Sequence, residues 1–360
     1  PTQHSVQKLR EEGVYPDMLL CRAEHMIPEG ERAKISLFSN VPMDCVISVA
    51  DASTIYEVPL MLHAQHLDDL VCKKLGLETK PADLSAWEDI VRRIKNPQRE
   101  VTVAMVGKYV DYADSYKSLN EALIQAGIRT ETRVKIRYVD AGQIEEEGAE
   151  KILQDVDAIL VPGGFGKRGT EGMIKAIEFA RENKIPFLGI CLGMQCAVIE
   201  FARNVLGIAD ANSSEMEQTP HPVIDLMEEQ KGITAKGGTM RLGAYPCTLR
   251  KGSKVAAAYG RLNISERHRH RYEFNNDYLA QFEAAGMKAV GVNPDTNLVE
   301  VVEIENHPWF VGTQYHPEYK STVLSPSPLF VAFVKDIAKV IAEQDPADVK
   351  AALACAEERK

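Results

Sequence analysis

The feature that most constrains this chain is a regular alternation of short apolar runs with helix-like segments, from residue 101 to about residue 202. The predicted strands occupy residues 101–107, 135–139, 158–164 and 186–190. Helical patterns separate them at residues 115–126, 149–153 and 172–183. Because alternating strands and helices form parallel sheets, we expect a mostly parallel sheet flanked by helices on both faces. Sites in such folds lie at the carboxyl ends of the strands.

The last of these strands leads into Gly189-Ile190-Cys191-Leu192-Gly193. A strand, a sharp turn and then a helix form a nucleophile elbow, with Cys191 at the turn. The glycines allow a strained backbone, and the N-terminus of the following helix favours a thiolate. The alternative is that Cys191 is one more buried core thiol, as free cysteines usually are. The glycine spacing favours the nucleophile.

A cysteine nucleophile needs a base, and the base needs a group that orients it. His316-Pro317-Glu318 follows the apolar run 309–314, so His316 is predicted at a strand end. Glu318 is then placed to hold the imidazole tautomer. The sequence therefore predicts a triad of Cys191, His316 and Glu318.

The run Pro162-Gly163-Gly164-Phe165-Gly166 predicts a loop whose backbone N–H groups approach a substrate closely. Together with the N–H of Leu192 this loop is a candidate oxyanion hole. The glycines also suggest a phosphate-binding loop, but Lys167 is followed by Arg168 rather than by Ser or Thr. We reject that interpretation.

The domain organisation follows from breaks in these patterns. Residues 1–75 are predicted to be the end of an α/β domain, with strands at 17–21 and 44–49 and helices at 6–12, 31–38 and 56–75. Residues 76–98 are predicted to be a linker with one helix at 84–94, and residues 99–343 a second domain. In that domain the runs 239–249, 288–292, 298–304 and 309–314 predict an antiparallel extension, followed by a helix at 329–342. Residues 344–360 are predicted to be a fraying tail.

Composition excludes several classes of protein. The net charge of −10 argues against nucleic acid as a partner, and no apolar run suggests a membrane span. Seven cysteines without paired spacing indicate reduced thiols and a cytoplasmic location, and the lack of a C-x-x-C pair argues against structural zinc. The chain opens at Pro1 without Met, and we expect it to lack an N-terminal part.

The elbow, the Pro-Gly-Gly loop and His316-Pro317-Glu318 together resemble the class I glutamine amidotransferases. The resemblance implies that Cys191 attacks the side-chain amide of glutamine. It further implies that ammonia leaves and that water hydrolyses the remaining thioester.

The rest of the chain resembles the CTP synthase family. The stretches that carry this resemblance lie at residues 1–6, 31–35, 237–243, 266–272 and 306–310. By position, Gly164 and Leu192 resemble the oxyanion donors of that family. Three further residues, each predicted to hold the amino-acid end of glutamine, are Gln195, Glu215 and Arg271.

Gln3 and Lys34 resemble residues that contact UTP in the synthase domain of the family. The alternative interpretation is that both are ordinary surface residues. For the charged run 266–271 the alternative is a solvated edge.

The family resemblance implies ATP-dependent amination of UTP to CTP with Mg²⁺, GTP as an allosteric effector and CTP as a feedback inhibitor. It also implies a homotetramer and, in some members, filaments. The glycine-rich ATP loop and acidic magnesium ligands of the family do not occur in this sequence, so we expect the chain to carry at most the glutaminase half. Two alternatives stay open: a γ-glutamyl hydrolase or peptidase on the same scaffold, and a non-catalytic regulatory or filament-forming subunit.

Overall fold

The computed structural model describes residues 1–110, 114–226 and 240–344. The chain forms two compact units, Pro1–Asn96 and Pro97–Lys360. The division falls at the Asn96–Pro97 step, and most of the predicted linker 76–98 belongs to the first unit. Two predicted features lie partly outside the described residues: the stretch 237–243, of which residues 237–239 are not described, and the tail, which is not described beyond residue 344.

The first unit is a small α/β structure. Its two parallel strands are β1 (Leu19–Arg22) and β2 (Val46–Val49). Its helices are α1 (Thr2–Glu11), α2 (Glu29–Ser39), α3 (Val58–His63), α4 (Leu67–Leu75) and α5 (Ser85–Lys95). A compact apolar cluster that includes Cys21, Val41 and Val46 holds these elements together.

Two predictions in this unit need correction. The single helix predicted for residues 56–75 is divided into α3 and α4, because His66 adopts a left-handed backbone with φ 58°. The strand predicted for residues 44–49 begins with a 3-10 turn at Met43–Cys45, and only Val46–Val49 is extended. Gly76 caps α4 with φ 65°, a left-handed conformation that glycine adopts without strain.

The second unit is built on a nine-stranded sheet. In spatial order its strands are β10 (Asn263–His270), β9 (Arg241–Leu249), β12 (Met287–Val292), β13 (Val299–Ile304), β14 (Phe310–Thr313), β6 (Phe187–Ile190), β5 (Ala158–Val161), β3 (Arg99–Gly107) and β4 (Thr132–Asp140). The strands from β14 to β4 run parallel, and those from β10 to β13 pair antiparallel. A separate three-stranded sheet contains β7 (Asn212–Ser213), β8 (Pro222–Leu226) and β11 (Tyr272–Phe274).

Helices cover both faces of the large sheet, so the predicted α/β layer architecture is confirmed. They are α6 (Lys117–Arg129), α7 (Ala141–Glu147), α8 (Ala149–Leu153), α9 (Thr170–Glu182), α10 (Leu192–Asn204), α11 (Lys254–Tyr259), α12 (Leu279–Ala285) and α13 (Pro328–Gln344). One apolar core lies between the sheet and α7 to α10, and the other between the sheet and α6, α11 and α13. Among the residues that the structure describes, no helix combines the length and the apolarity that a membrane crossing requires.

Strand β14 does not simply belong to the antiparallel extension, as the sequence predicted. It pairs antiparallel with β13 and parallel with β6, so it is the strand at which the sheet changes direction. All four of its residues are buried, as expected for a strand in the middle of a sheet. The strand predicted for residues 239–249 begins at Arg241; Met240 precedes it without strand structure, and Thr239 lies outside the described residues.

The charged run near residue 266 lies at an edge of the large sheet, but only one of its faces is exposed. It forms strand β10, whose residues alternate between exposed and buried along its length. Because side chains alternate across a strand, Glu266, His268 and His270 all point to the buried face.

Candidate active site

The elbow has the geometry that its sequence predicts. Cys191 lies between β6 and α10 with φ 53° and ψ −101°, a conformation that residues other than glycine rarely adopt. Its N–H donates to the carbonyl of Thr313 over 2.7 Å, which fixes the turn against β14. The side chain is 3% exposed. Such a strained residue, held by its surroundings, is typical of a functional site.

The two glycines of the elbow are needed for close packing. A Cβ on Gly193 would lie 2.1 Å from the carbonyl oxygen of Val161, and one on Gly189 would lie 2.7 Å from the carbonyl carbon of Gly193. Strands β5 and β6 and helix α10 therefore meet at van der Waals distance only because both positions lack a side chain.

Strand register brings the predicted base to the nucleophile. In the parallel pair of β14 and β6, Thr313 lies opposite Ile190, so the two strands end at the same level. Cys191 follows one strand end and His316 follows the other. The two residues line the same cavity and both lie against Gly163, while Sγ of Cys191 also lies 3.9 Å from the carbonyl oxygen of Arg269.

His316 is also bonded to the third predicted residue of the triad. Its Nδ1 lies 2.8 Å from Oε1 of Glu318, and both side chains are buried. Burial alone lowers the pKa of His316, but the contacts with Cys191 and Glu318 outweigh it and raise this pKa to about 11. The site thus favours an imidazolium that lies between the sulfur and a carboxylate.

The Pro-Gly-Gly loop packs directly on these side chains. A Cβ on Gly163 would lie 2.9 Å from Cε1 of His316 and 3.5 Å from Cβ of Cys191. A Cβ on Gly164 would lie 3.1 Å from Cδ2 of Leu192, so the two predicted oxyanion donors are neighbours.

Lys108 holds this loop in place through hydrogen bonds, a role that the sequence pattern did not predict. Its buried Nζ donates to the carbonyl oxygens of Phe165 and Gly166 over 3.1 and 2.5 Å. Burial lowers the pKa of Lys108, so the carbonyls compensate a costly position for a cation. The available signal was its place directly after strand β3, at the edge where sites occur.

The residues predicted to hold the amino-acid end of glutamine line one small cavity beside the sulfur. This cavity is bounded by Gly164, Phe165, Cys191, Gln195, Glu215, His270, Arg271 and Tyr272. Oε1 of Glu215 accepts a hydrogen bond from the Gly166 N–H over 3.0 Å. Nε2 of Gln195 donates to the Tyr272 carbonyl over 3.0 Å. A carboxylate and a guanidinium in one cavity suit a zwitterionic amino acid.

Comparison with known proteins agrees with this geometry. A family model described as "Glutamine amidotransferase class-I" matches residues 111–336. The chain belongs to this family. A second model, described as "CTP synthase N-terminus", matches residues 1–77.

Individual relatives of this amidotransferase are CTP synthases. It is 57% identical over 337 residues to a CTP synthase of Cytophaga hutchinsonii, which covers 93% of this chain and 62% of the relative. It is 55% identical over 336 residues to a CTP synthase of Syntrophus aciditrophicus, with 93% and 62% covered. The amidotransferase thus spans about 62% of the length of these relatives.

One solved structure is also similar. It is described as the glutaminase domain of Trypanosoma brucei CTPS with bound acivicin, at 38% identity and a TM-score of 0.63. The match covers 66% of this chain and 94% of that one. The resemblance to CTP synthases that the sequence suggested is therefore confirmed.

A buried polar network under the cavity of this amidotransferase was also missed. Arg241 donates to Glu273 over 3.0 Å and to Glu300 over 2.8 Å, and Nε2 of His268 lies 2.7 Å from Glu300. Burial raises the pKa of Glu273 to about 8, although Arg241 opposes this. The network supports the segment from His270 to Glu273, which carries Arg271. These residues come from strands far apart in the sequence, so no local pattern joins them.

The predicted UTP contacts lie in the first unit. Gln3 is exposed on α1, and Lys34 is exposed on α2, where its Nζ lies 2.9 Å from Glu31. Helices α1 and α2 pack against each other. Within the described residues, no group of three or more His, Cys, Asp or Glu side chains is arranged to hold a metal ion.

Proposed function

We propose that the second unit hydrolyses glutamine to glutamate and ammonia through Cys191, His316 and Glu318. The observation that carries the proposal is the meeting of these three side chains in one cavity, with Cys191 at a strained elbow and His316 bonded to Glu318. A cysteine, a base within reach and a group that orients the base are the parts that nucleophilic acyl transfer needs.

The proposed reaction begins with the sulfur of Cys191 as a thiolate and His316 as an imidazolium. The sulfur adds to the amide carbon of glutamine, and the N–H groups of Gly164 and Leu192 stabilise the oxyanion that forms. The C–N bond breaks as His316 gives its proton to the leaving ammonia. His316 then takes a proton from water, which attacks the thioester and releases glutamate. Glu318 keeps Nδ1 protonated and Nε2 directed at the sulfur throughout.

Activity measurements test the triad. We expect Cys191→Ser and His316→Ala to abolish glutamate release, and Glu318→Gln to lower kcat by about 10²- to 10⁴-fold. The control is Cys196→Ser, which changes a buried thiol on the same helix whose pKa is raised by burial to about 12. Near-normal activity in either of the first two variants would end the assignment.

Covalent labelling tests the nucleophile separately from turnover. A glutamine-analogue electrophile is expected to modify wild type and Cys196→Ser but not Cys191→Ser, read out by intact-protein mass spectrometry. Failure to label wild type would favour a non-catalytic regulatory or filament-forming subunit instead.

We further propose that the ammonia serves an ATP-dependent conversion of UTP to CTP. The relatives named CTP synthase and the match of residues 1–77 support this. Gln3 and Lys34 are the proposed UTP contacts. The described residues offer no metal-binding cluster, so we assign Mg²⁺ to no residue of this chain. GTP activation, CTP feedback inhibition, tetramers and filaments rest on the same family resemblance, and a cytoplasmic location on the free thiols.

Nitrogen transfer distinguishes this proposal from its main alternative. With UTP, ATP, Mg²⁺ and glutamine labelled with ¹⁵N at the amide, a protein that contains this chain and spans the full length of the CTP synthase relatives is expected to yield ¹⁵N-CTP. A γ-glutamyl hydrolase or peptidase would release the label to solvent and form no CTP.

A further inference from the structure

His270 lies beside the proposed nucleophile but has no role in the triad or among the predicted glutamine contacts. It ends strand β10 and is only 2% exposed. It lines the same small cavity as Cys191, Glu215 and Arg271. A buried titratable side chain in a substrate cavity needs an explanation.

The two ring nitrogens of His270 have different surroundings. Nδ1 lies 3.4 Å from Oε1 of the buried Glu273 and 3.3 Å from the carbonyl oxygen of Tyr272, which can only accept a hydrogen bond. Nδ1 therefore carries a hydrogen. Burial, together with the nearby His268 and Arg241, lowers the pKa of His270 well below its usual value, so the ring is neutral. In a neutral imidazole with hydrogen on Nδ1, Nε2 is an acceptor.

Nε2 of His270 is buried and has no hydrogen-bond partner among the described residues. A buried acceptor without a partner is unfavourable, and native structures rarely leave one unexplained. His270 lines the cavity beside Cys191, and a ligand bound there could supply the missing donor.

The chemistry of the cavity indicates which donor that is. The proposed oxyanion donors and Cys191 define the end that takes the carboxamide, whereas Glu215 and Arg271 define the end that takes the amino-acid group. Oε1 of Glu215 is already engaged by the Gly166 N–H. An ammonium group has three N–H donors, so it needs acceptors besides this carboxylate.

We infer that His270 is a substrate-binding residue whose Nε2 accepts a hydrogen bond from the α-ammonium group of bound glutamine, beside Glu215. This inference rests on the proposed glutaminase function and adds a specificity element to it. The pocket would thereby select amino acids over amides that lack the α-ammonium group.

Two substitutions separate the nitrogens. In His270→Asn the side-chain amide reaches the position of Nδ1, so the bond to Tyr272 is retained and the acceptor at Nε2 is lost. In His270→Gln the amide reaches the position of Nε2. If His270 acts only structurally, through Nδ1, the Asn variant should keep its activity. If Nε2 binds the substrate, the Gln variant should keep its activity instead.

The assay measures steady-state release of glutamate from glutamine. Glutaramic acid, which lacks the α-ammonium group, is tested in parallel as an alternative substrate or as a competitive inhibitor. We expect His270→Asn to raise KM for glutamine by about 10- to 100-fold with kcat little changed, because a hydrogen bond to a charged group is lost. The KM or inhibition constant of glutaramic acid should be the same for His270→Asn and wild type. In His270→Gln the KM for glutamine should return to within about tenfold of the wild-type value. His307→Gln, which alters a buried histidine outside the cavity, is the matched control.

An unchanged KM in a folded His270→Asn variant, or an equal loss for both compounds, would overturn the inference. If the Asn variant does not fold, the Gln variant decides, because a folded Gln variant with no preference for glutamine over glutaramic acid contradicts it equally. Absence of glutaminase activity in wild type would instead defeat the proposed function.

Discussion

His307 allows a quantitative test of how the second unit is stabilised. Its ring is 2% exposed, its Nε2 donates to the carbonyl of Ala180 over 3.1 Å, and it packs edge-on against Phe310. Burial lowers the pKa of His307 from 6.5 to about 4, and the bond to Ala180 only partly opposes this. The folded protein therefore holds a neutral ring at a pH where the unfolded chain binds a proton.

The sign and size of the effect follow from linkage. Above pH 6.5 the ring is neutral in both states, so the stabilisation is fully present. As the pH falls toward 4 the unfolded state takes up a proton first, and stability is lost. Between pH 7.5 and pH 5 the free energy of unfolding should fall by about 2 kcal/mol from this residue alone.

The assay compares wild type with His307→Gln, whose amide keeps a donor near Ala180 but does not titrate. Urea unfolding is followed by fluorescence in a Trp87→Phe background, so that the signal comes from Trp309 in the same unit. Wild type should lose about 2 kcal/mol more than the variant between the two pH values, because all other titrating groups are common to both. Equal losses would show that the native site does not hold a neutral imidazole, and would refute the reasoning.

Two further predictions concern the geometry of the candidate active site. Gly163→Ala places a Cβ 2.9 Å from Cε1 of His316. It should lower kcat for glutamine hydrolysis by about 10- to 100-fold at nearly unchanged melting temperature. Gly30→Ala, which has open space around the new Cβ, should have no effect on kcat. Equal kcat values in the two variants would contradict the close contact. Lys108→Met releases the loop that holds Gly164, one of the two proposed oxyanion donors, and should lower kcat by about tenfold or more. The control Lys167→Met changes an exposed lysine of the same loop, and a similar loss in both would show that Lys108 has no special role.

Local patterns were sufficient for some parts of this protein. The strand, turn and helix around Cys191 were predicted from glycine spacing, and the structure shows that each glycine is needed because a side chain there would collide with backbone atoms. Apolar runs predicted the inner parallel strands β3, β5 and β6, because burial on both faces requires continuous apolar segments, whereas the edge strand β4 alternates between buried and exposed residues. The prediction of a single helix over residues 56–75 was wrong, because apolar spacing does not reveal a residue with left-handed backbone such as His66, which separates α3 from α4.

The sequence alone determined the fold class, the elbow and the pair His316 and Glu318, because each depends on residues within a few positions of one another. The tertiary structure decided the rest. It placed β14 beside β6, which brings His316 to Cys191, and it assembled the buried network and the cavity that contains His270. The physical reason is that the packing of the whole unit sets which distant strands pair. It also sets which buried charged groups meet a partner far along the chain. Neither kind of contact leaves a periodic pattern in the sequence.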